Sequence, residues 1–111
     1  ETGNAGFDNE LTGTVLNYIE EHYKNGSLSE LAQIMNYDVY WLSKAIKKQT
    51  GKTYKELLQS KRMSQAAYLL TNSTLPVADI IESVGYDNTS YFYRKFKEWY
   101  GMGPKEYRAG K

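Results

Sequence analysis

Ile80-Ile81-Glu82-Ser83-Val84-Gly85-Tyr86-Asp87-Asn88-Thr89-Ser90-Tyr91-Phe92-Tyr93-Arg94-Lys95-Phe96-Lys97 is the stretch whose reading decides the fold. With Val77 just upstream, Ile80, Ile81 and Val84 recur at the spacing of one helical face. Gly85 breaks the pattern; Gly and Asn are the residues that best tolerate positive φ. A second helical pattern, about 89–100, turns Phe92 and Phe96 inward and leaves Thr89, Ser90, Tyr93, Arg94 and Lys97 outward. A short helix, a sharp turn and a second helix make a helix-turn-helix. Pro76 suits the first turn of the leading helix. Gly101-Met102-Gly103 ends the second, and Pro104 starts a short last helix containing Tyr107.

The same pattern occurs earlier in the chain. Leu28, Leu31, Ala32, Met35, Tyr37 and Asp38 fall on Val77, Ile80, Ile81, Val84, Tyr86 and Asp87 at an offset of 49. Beyond the turn the offset becomes 50: Leu42, Ala45, Ile46, Lys47 and Gly51 fall on Phe92, Lys95, Phe96, Lys97 and Gly101. One extra residue therefore lies around Asp87–Ser90. Asn36 occupies the place of Gly85, so each unit puts a residue tolerant of positive φ at its turn. The helix after the first turn, about 38–50, exposes Tyr40, Trp41, Ser43, Lys44, Lys47 and Lys48. Side chains of these types suit a major groove: Lys and Arg bond guanine acceptors, Ser and Thr bond several base edges, and apolar groups touch the thymine methyl. Lys47, Lys48 and Lys97, further down the helices, are placed for phosphates.

The remaining segments are helical as well. Leu11, Val15, Ile19 and Tyr23 repeat every four positions, and Asn25-Gly26 ends that helix. Ser27-Leu28-Ser29-Glu30 and Thr53-Tyr54-Lys55-Glu56 read as capping boxes, in which each hydroxyl accepts from the N–H three residues on and each carboxylate reaches back. The second box opens a helix of about twenty residues through Leu57, Leu58, Ala66, Ala67, Leu69 and Leu70. No segment alternates with period two, so the expected fold is all-α. Residues 1–7 read as a disordered or linker N-terminus and 8–111 as one domain. Within it, 8–52 forms a first helix-turn-helix subdomain, 53–73 a connecting helix and 74–111 a second subdomain.

Composition narrows the chemistry. The 111 residues contain no cysteine, which excludes disulfides, thiolate metal sites and cysteine nucleophiles. His22 is the one histidine, and no catalytic or metal-binding constellation surrounds it, so neither an enzyme, a metal nor a cofactor is expected. No apolar run reaches the roughly 20 residues of a membrane span. The net charge of +1 hides an asymmetry: residues 1–30 carry six acids and one base, residues 31–111 seven acids and thirteen bases. The basic portion is where a polyanion would bind.

At these residues the chain resembles the AraC/XylS family of bacterial transcription regulators. The resemblance runs over about 11–108. It is carried above all by Ile80 to Tyr86, by Ser90 to Lys97, and by Tyr100-Gly101-Met102-Gly103-Pro104-Lys105-Glu106-Tyr107-Arg108; Leu31-Ala32, Ile46-Lys47-Lys48, Thr50-Gly51 and Arg62-Met63 also fit. It implies seven helices, with two helix-turn-helix units joined by the fourth, their recognition helices entering successive major grooves. Such grooves recur about every 34 Å along one DNA face. It implies base reading by Tyr40, Ser43 and Lys44 in the first unit and by Thr89, Ser90 and Arg94 in the second, with Lys47, Lys48, Tyr93 and Lys97 on phosphate. It further implies a cytoplasmic regulator of an operator in double-stranded DNA, carrying an N-terminal effector or dimerisation domain beyond this chain. Contact with RNA polymerase is a protein-directed role that can coexist. Where many members carry Gln or Arg, this chain has Ser43 and Lys44 beside bulky Tyr40 and Trp41. DNA-repair methyltransferases with a similar helical domain are a different class, but their chemistry needs a cysteine.

Several residues have plainer readings. Trp41 is either a base contact or a lid on the core; Trp99 is expected to pack. Arg62 either touches phosphate or braces the domain through an acid such as Glu106 or Asp79. Asp38 and Asp87 are expected to cap their helices, where negative charge is favourable.

Overall fold

Helix boundaries are fixed by residues that satisfy the otherwise unpaired backbone groups of the first and last turns. The computed structural model describes residues 2–110, with side-chain surroundings from Asn9 onward. Among the described residues seven α-helices follow one another: α1 (Thr2–His22), α2 (Leu28–Met35), α3 (Val39–Thr50), α4 (Tyr54–Asn72), α5 (Val77–Ser83), α6 (Thr89–Tyr100) and α7 (Pro104–Ala109). No strand occurs among the described residues. The chain divides into two compact units, Glu1–Gln59 and Ser60–Lys111, with the boundary inside α4.

In the first unit, Leu11, Val15, Tyr18 and Ile19 of α1 form a buried cluster with Leu31, Ala32, Leu42, Ile46 and Tyr54, flanked by Leu57 and Leu58. Helix α1 begins at Thr2, so the stretch expected to be a linker is helical; Glu1 lies outside the described residues. A helix once nucleated gains one hydrogen bond per added residue. It therefore extends upstream of Leu11, where no apolar repeat marks it.

The junction of α1 and α2 departs from the simple capping box. Ser27 Oγ accepts from the Glu30 N–H at 3.1 Å as expected. The Ser27 N–H, however, donates to the Tyr18 hydroxyl at 3.0 Å, and that hydroxyl donates to Glu30 Oε1. A buried phenol thus stands between the cap and its carboxylate and ties both to α1. Burial, then the bond to Glu30, raises the Tyr18 pKa. Gly26 is required here by closeness rather than by φ: a Cβ on it would lie 2.7 Å from both His22 O and the Tyr18 hydroxyl. The box at Thr53–Glu56 forms as expected, with Thr53 N–H donating to Glu56 Oε1 at 2.9 Å and Glu56 N–H to Thr53 Oγ1 at 3.1 Å.

Both helix-turn-helix turns use one hydrogen-bond pattern. Asn36 adopts φ 61° and Gly85 φ 106°. Beyond them, Tyr37 N–H donates to Ala32 O at 2.9 Å and Tyr86 N–H to Ile81 O at 3.1 Å, the long bond of a Schellman motif. Helices α2 and α3 pack together in the first unit, and α5 and α6 in the second. The second core holds Met63, Ala66, Leu70, Ile80, Ile81, Val84, Phe92 and Phe96, all buried. Phe92 and Phe96 are fully enclosed, each worth about 1.5–3 kcal/mol of burial. Pro76 is the N-cap of α5 rather than its first residue. Arg108 ties α7 to the end of α4, its Nε donating to Leu70 O at 2.9 Å and its Nη2 to Ser73 O at 3.2 Å.

Two stability predictions follow from these junctions. Gly85→Val puts a β-branched side chain at φ 106° and is expected to lower unfolding free energy by about 2–3 kcal/mol; an unchanged denaturant midpoint would contradict the turn. Tyr18→Phe leaves the Ser27 N–H and the Glu30 carboxylate without the phenol and is expected to cost about 1–2 kcal/mol. Retention of full stability in that variant would mean the hydroxyl contributes nothing to the cap.

Candidate nucleic-acid interface

A helix turns about 100° per residue, and this places the outward residues of α3 and α6. In α3, Leu42 and Ile46 are buried, and Lys44 stands diametrically opposite that ridge, flanked by Tyr40, Lys47 and Lys48, all exposed. In α6, Phe92 and Phe96 are buried and Arg94 holds the equivalent place, with Ser90 and Lys97 beside it. Lys44 and Arg94 correspond at the repeat offset of 50. Thr89 is exposed at the first position of α6; Ser43 and Tyr93, which also correspond, are half-buried on the flanks of their helices. Each unit therefore assembles most of its expected base-reading residues on one helical face.

Among the described residues Tyr40 is the most exposed large hydrophobic side chain, at 76%. Trp41 leans on Tyr37, ring centroids 4.8 Å apart at 42°, and remains 44% exposed. It packs against the turn through Tyr37 while nearly half of its surface stays accessible. Trp99 is 45% exposed, contrary to the expectation of packing. Seven residues after Phe92, it stays on the side of the buried ridge, but it lies in the last turn of α6, where the aromatic core is completed by Tyr100 and Tyr107, whose ring centroids lie 4.6 Å and 5.4 Å from that of Phe96.

The helix N-termini carry different charge. Asp38 caps α3, its Oδ2 accepting from Trp41 N–H at 2.9 Å. In α6 the cap is Asn88, whose Oδ1 accepts from Tyr91 N–H at 2.9 Å, and Asp87 is an exposed residue outside the helix. The expectation that Asp87 caps is thus corrected: the extra residue lies before the cap, so the offset of 50 already holds at Asp38 and Asn88. Counting back from Phe92 rather than forward from Val77 finds it. A neutral amide at this end is a better neighbour for a phosphate than a carboxylate.

The basic residues are unevenly engaged. Lys47 Nζ donates to Gly51 O at 3.3 Å at the end of its helix. Its charge also helps hold the Glu56 carboxyl below the usual range, after the larger effect of the Thr53 N–H. Lys95 pairs with Glu98 at 3.5 Å. Arg62 lies over the Tyr86 ring, 5.3 Å from its centroid, an aromatic contact that composition alone did not suggest. Arg94 lies over the Tyr91 ring at the same distance, 5.3 Å. Among the described residues no group of histidine, aspartate and glutamate is arranged to hold a metal, and no helix is long and apolar enough to cross a membrane.

Known proteins share this architecture. Residues 31–110 match the family model described as a helix-turn-helix domain. The chain is 34% identical over 95 residues to the arabinose operon regulatory protein of Escherichia coli, covering 84% of this chain and 32% of that relative. It spans well under half the length of the curated relatives it matches. Among solved structures, the C-terminal domain of AraT, a response regulator from Geobacillus stearothermophilus, superposes with a TM-score of 0.83 at 34% identity, covering 91% of this chain and 85% of that one. The DNA-binding domain of the transcriptional factor AdpA, solved with a target DNA, shares the fold with a TM-score of 0.79 at 22% identity, covering 90% of each chain. With seven helices in this order, the two matching turns and these relatives, the chain belongs to the helix-turn-helix domain family of the AraC/XylS transcriptional regulators.

Proposed function

We propose that this domain binds an operator in double-stranded DNA and directs transcription from it, with α3 and α6 as the recognition helices. The observation that carries the reading is the repeated pair of a left-handed turn and a following helix whose outermost side chain is a cation, Lys44 or Arg94. A cation at that point of a groove-sized helix meets guanine O6 and N7. Tyr40, Ser43, Thr89 and Ser90 supply apolar and hydroxyl contacts to neighbouring base edges. Lys48 and Lys97 take phosphates; Lys47 and Tyr93 contribute less, since the first is shared with Gly51 O and the second is half-buried. Two such helices reading successive grooves would give an operator with two short recognised stretches about one helical turn apart. The relatives named as operon regulators, and the AdpA domain solved with its target, support the reading. Bacterial transcription control would place the protein in the cytoplasm. An effector or dimerisation domain outside these residues, and contact with RNA polymerase, would complete such a regulator.

Selection of bound sites from random duplex DNA at fixed salt tests the proposal, and enrichment of one shared motif is the expected result. Recovery of unrelated sequences would reduce the function to electrostatic binding. With the motif in hand, Arg94→Ala is expected to lower specific affinity by about 1–3 kcal/mol and to relax preference at one base pair. Lys48→Ala should weaken specific and non-specific duplexes alike and reduce the slope of log affinity against log salt by about one. A loss confined to one operator would instead place Lys48 on a base.

A further inference from the structure

We infer that Tyr91 is a positioning residue for base recognition, holding the Arg94 guanidinium in place before DNA arrives. The inference rests on the proposed role of Arg94. Tyr91 sits one turn before Arg94 on α6, half-buried, with the guanidinium carbon 5.3 Å from its ring centroid. The ring is itself supported from behind. Its centroid lies 6.0 Å from that of Tyr86, which is 9% exposed and meets the enclosed Phe92 at 5.5 Å. Arg62 of α4 lies over that same Tyr86 ring. The exposed cation is thus seated on an aromatic stack that reaches the core.

The chemistry suits a reader. A ring face attracts the charge of a guanidinium without using an acceptor, so its planar set of N–H donors is not committed to a carboxylate. An arginine already held in one orientation loses less freedom when it meets a guanine than one that sweeps through solvent. Lys95 also approaches the ring, at 5.7 Å, but its ammonium is paired with Glu98.

The repeat supplies a second observation. Tyr91 corresponds to Trp41 and Tyr86 to Tyr37 at the offsets of 50 and 49. In the first unit Trp41 rests on Tyr37 at 42°, the angle at which Tyr91 rests on Tyr86. Each unit thus carries an aromatic pair bridging its turn, three residues before its outermost cation.

The test uses the whole chain carrying Tyr91→Phe, then mono-, di- and trifluorinated Phe at the same position; these keep the ring's shape while draining negative charge from its face. Site selection with the unaltered protein and with Arg94→Ala first identifies the base pair whose preference depends on Arg94. Across the fluorinated series, preference at that pair alone is expected to fall stepwise, by about two- to five-fold in total. The melting temperature and the salt slope should stay unchanged. In the Arg94→Ala background the series should have no effect. A flat response, or an equal loss at every position, would overturn the positioning role while leaving Arg94 as reader. If Arg94→Ala changes no preference at all, the reading of Arg94 falls and takes this inference with it.

Discussion

Everything outward-facing in this molecule depends on a backbone that changes hand for one residue between two right-handed helices. Asn36 and Gly85 take that conformation, and the long bonds to Ala32 O and Ile81 O lock it by satisfying carbonyls the first helix leaves unpaired. The turn sets the direction in which α3 and α6 leave their partners. It thereby decides that Leu42 with Ile46, and Phe92 with Phe96, face inward. Once those ridges are buried, the helical period allows one outermost position, and Lys44 and Arg94 occupy it. The cations are presented because the apolar residues are hidden.

The two units solve the same geometric problem with different chemistry. The first has an anionic cap, an aliphatic ridge, a lysine and a highly exposed Tyr40; the second has a neutral cap, an aromatic ridge and an arginine. A lysine is a compact, strongly hydrated charge, whereas arginine offers a planar fork. On the proposed function, the second unit would have the better instrument for bidentate reading, and the first a larger apolar surface for thymine methyls. The extra residue at Asp87 moves a carboxylate off the helix end and leaves Asn88 there.

Three side chains join elements that the local helical pattern leaves separate. Tyr18 links the α1 face to the Ser27 cap, Tyr100 donates to Met63 O at 3.3 Å, and Arg108 reaches two carbonyls at the end of α4. Each supplies a hydrogen bond to a backbone group and contributes buried apolar area. Such contacts hold the short helices, which would be marginal in isolation.

The helices apart from the start of α1, both turns, the Thr53–Glu56 box, the inward ridges and the outward cations were legible in the amino-acid order. Each is fixed by groups no more than about four residues apart, where spacing alone determines who meets whom. The entry of Tyr18 into the Ser27–Glu30 cap, the Arg108 brace, the exposure of Trp99 and the seating of Arg94 on a ring backed by Tyr86 were decided only by the folded chain. The first two join residues 9 to 38 positions apart, and the others depend on which side chains fill the space beneath a helix. That depends on the path of the chain and the competition for volume, which a one-dimensional pattern does not encode.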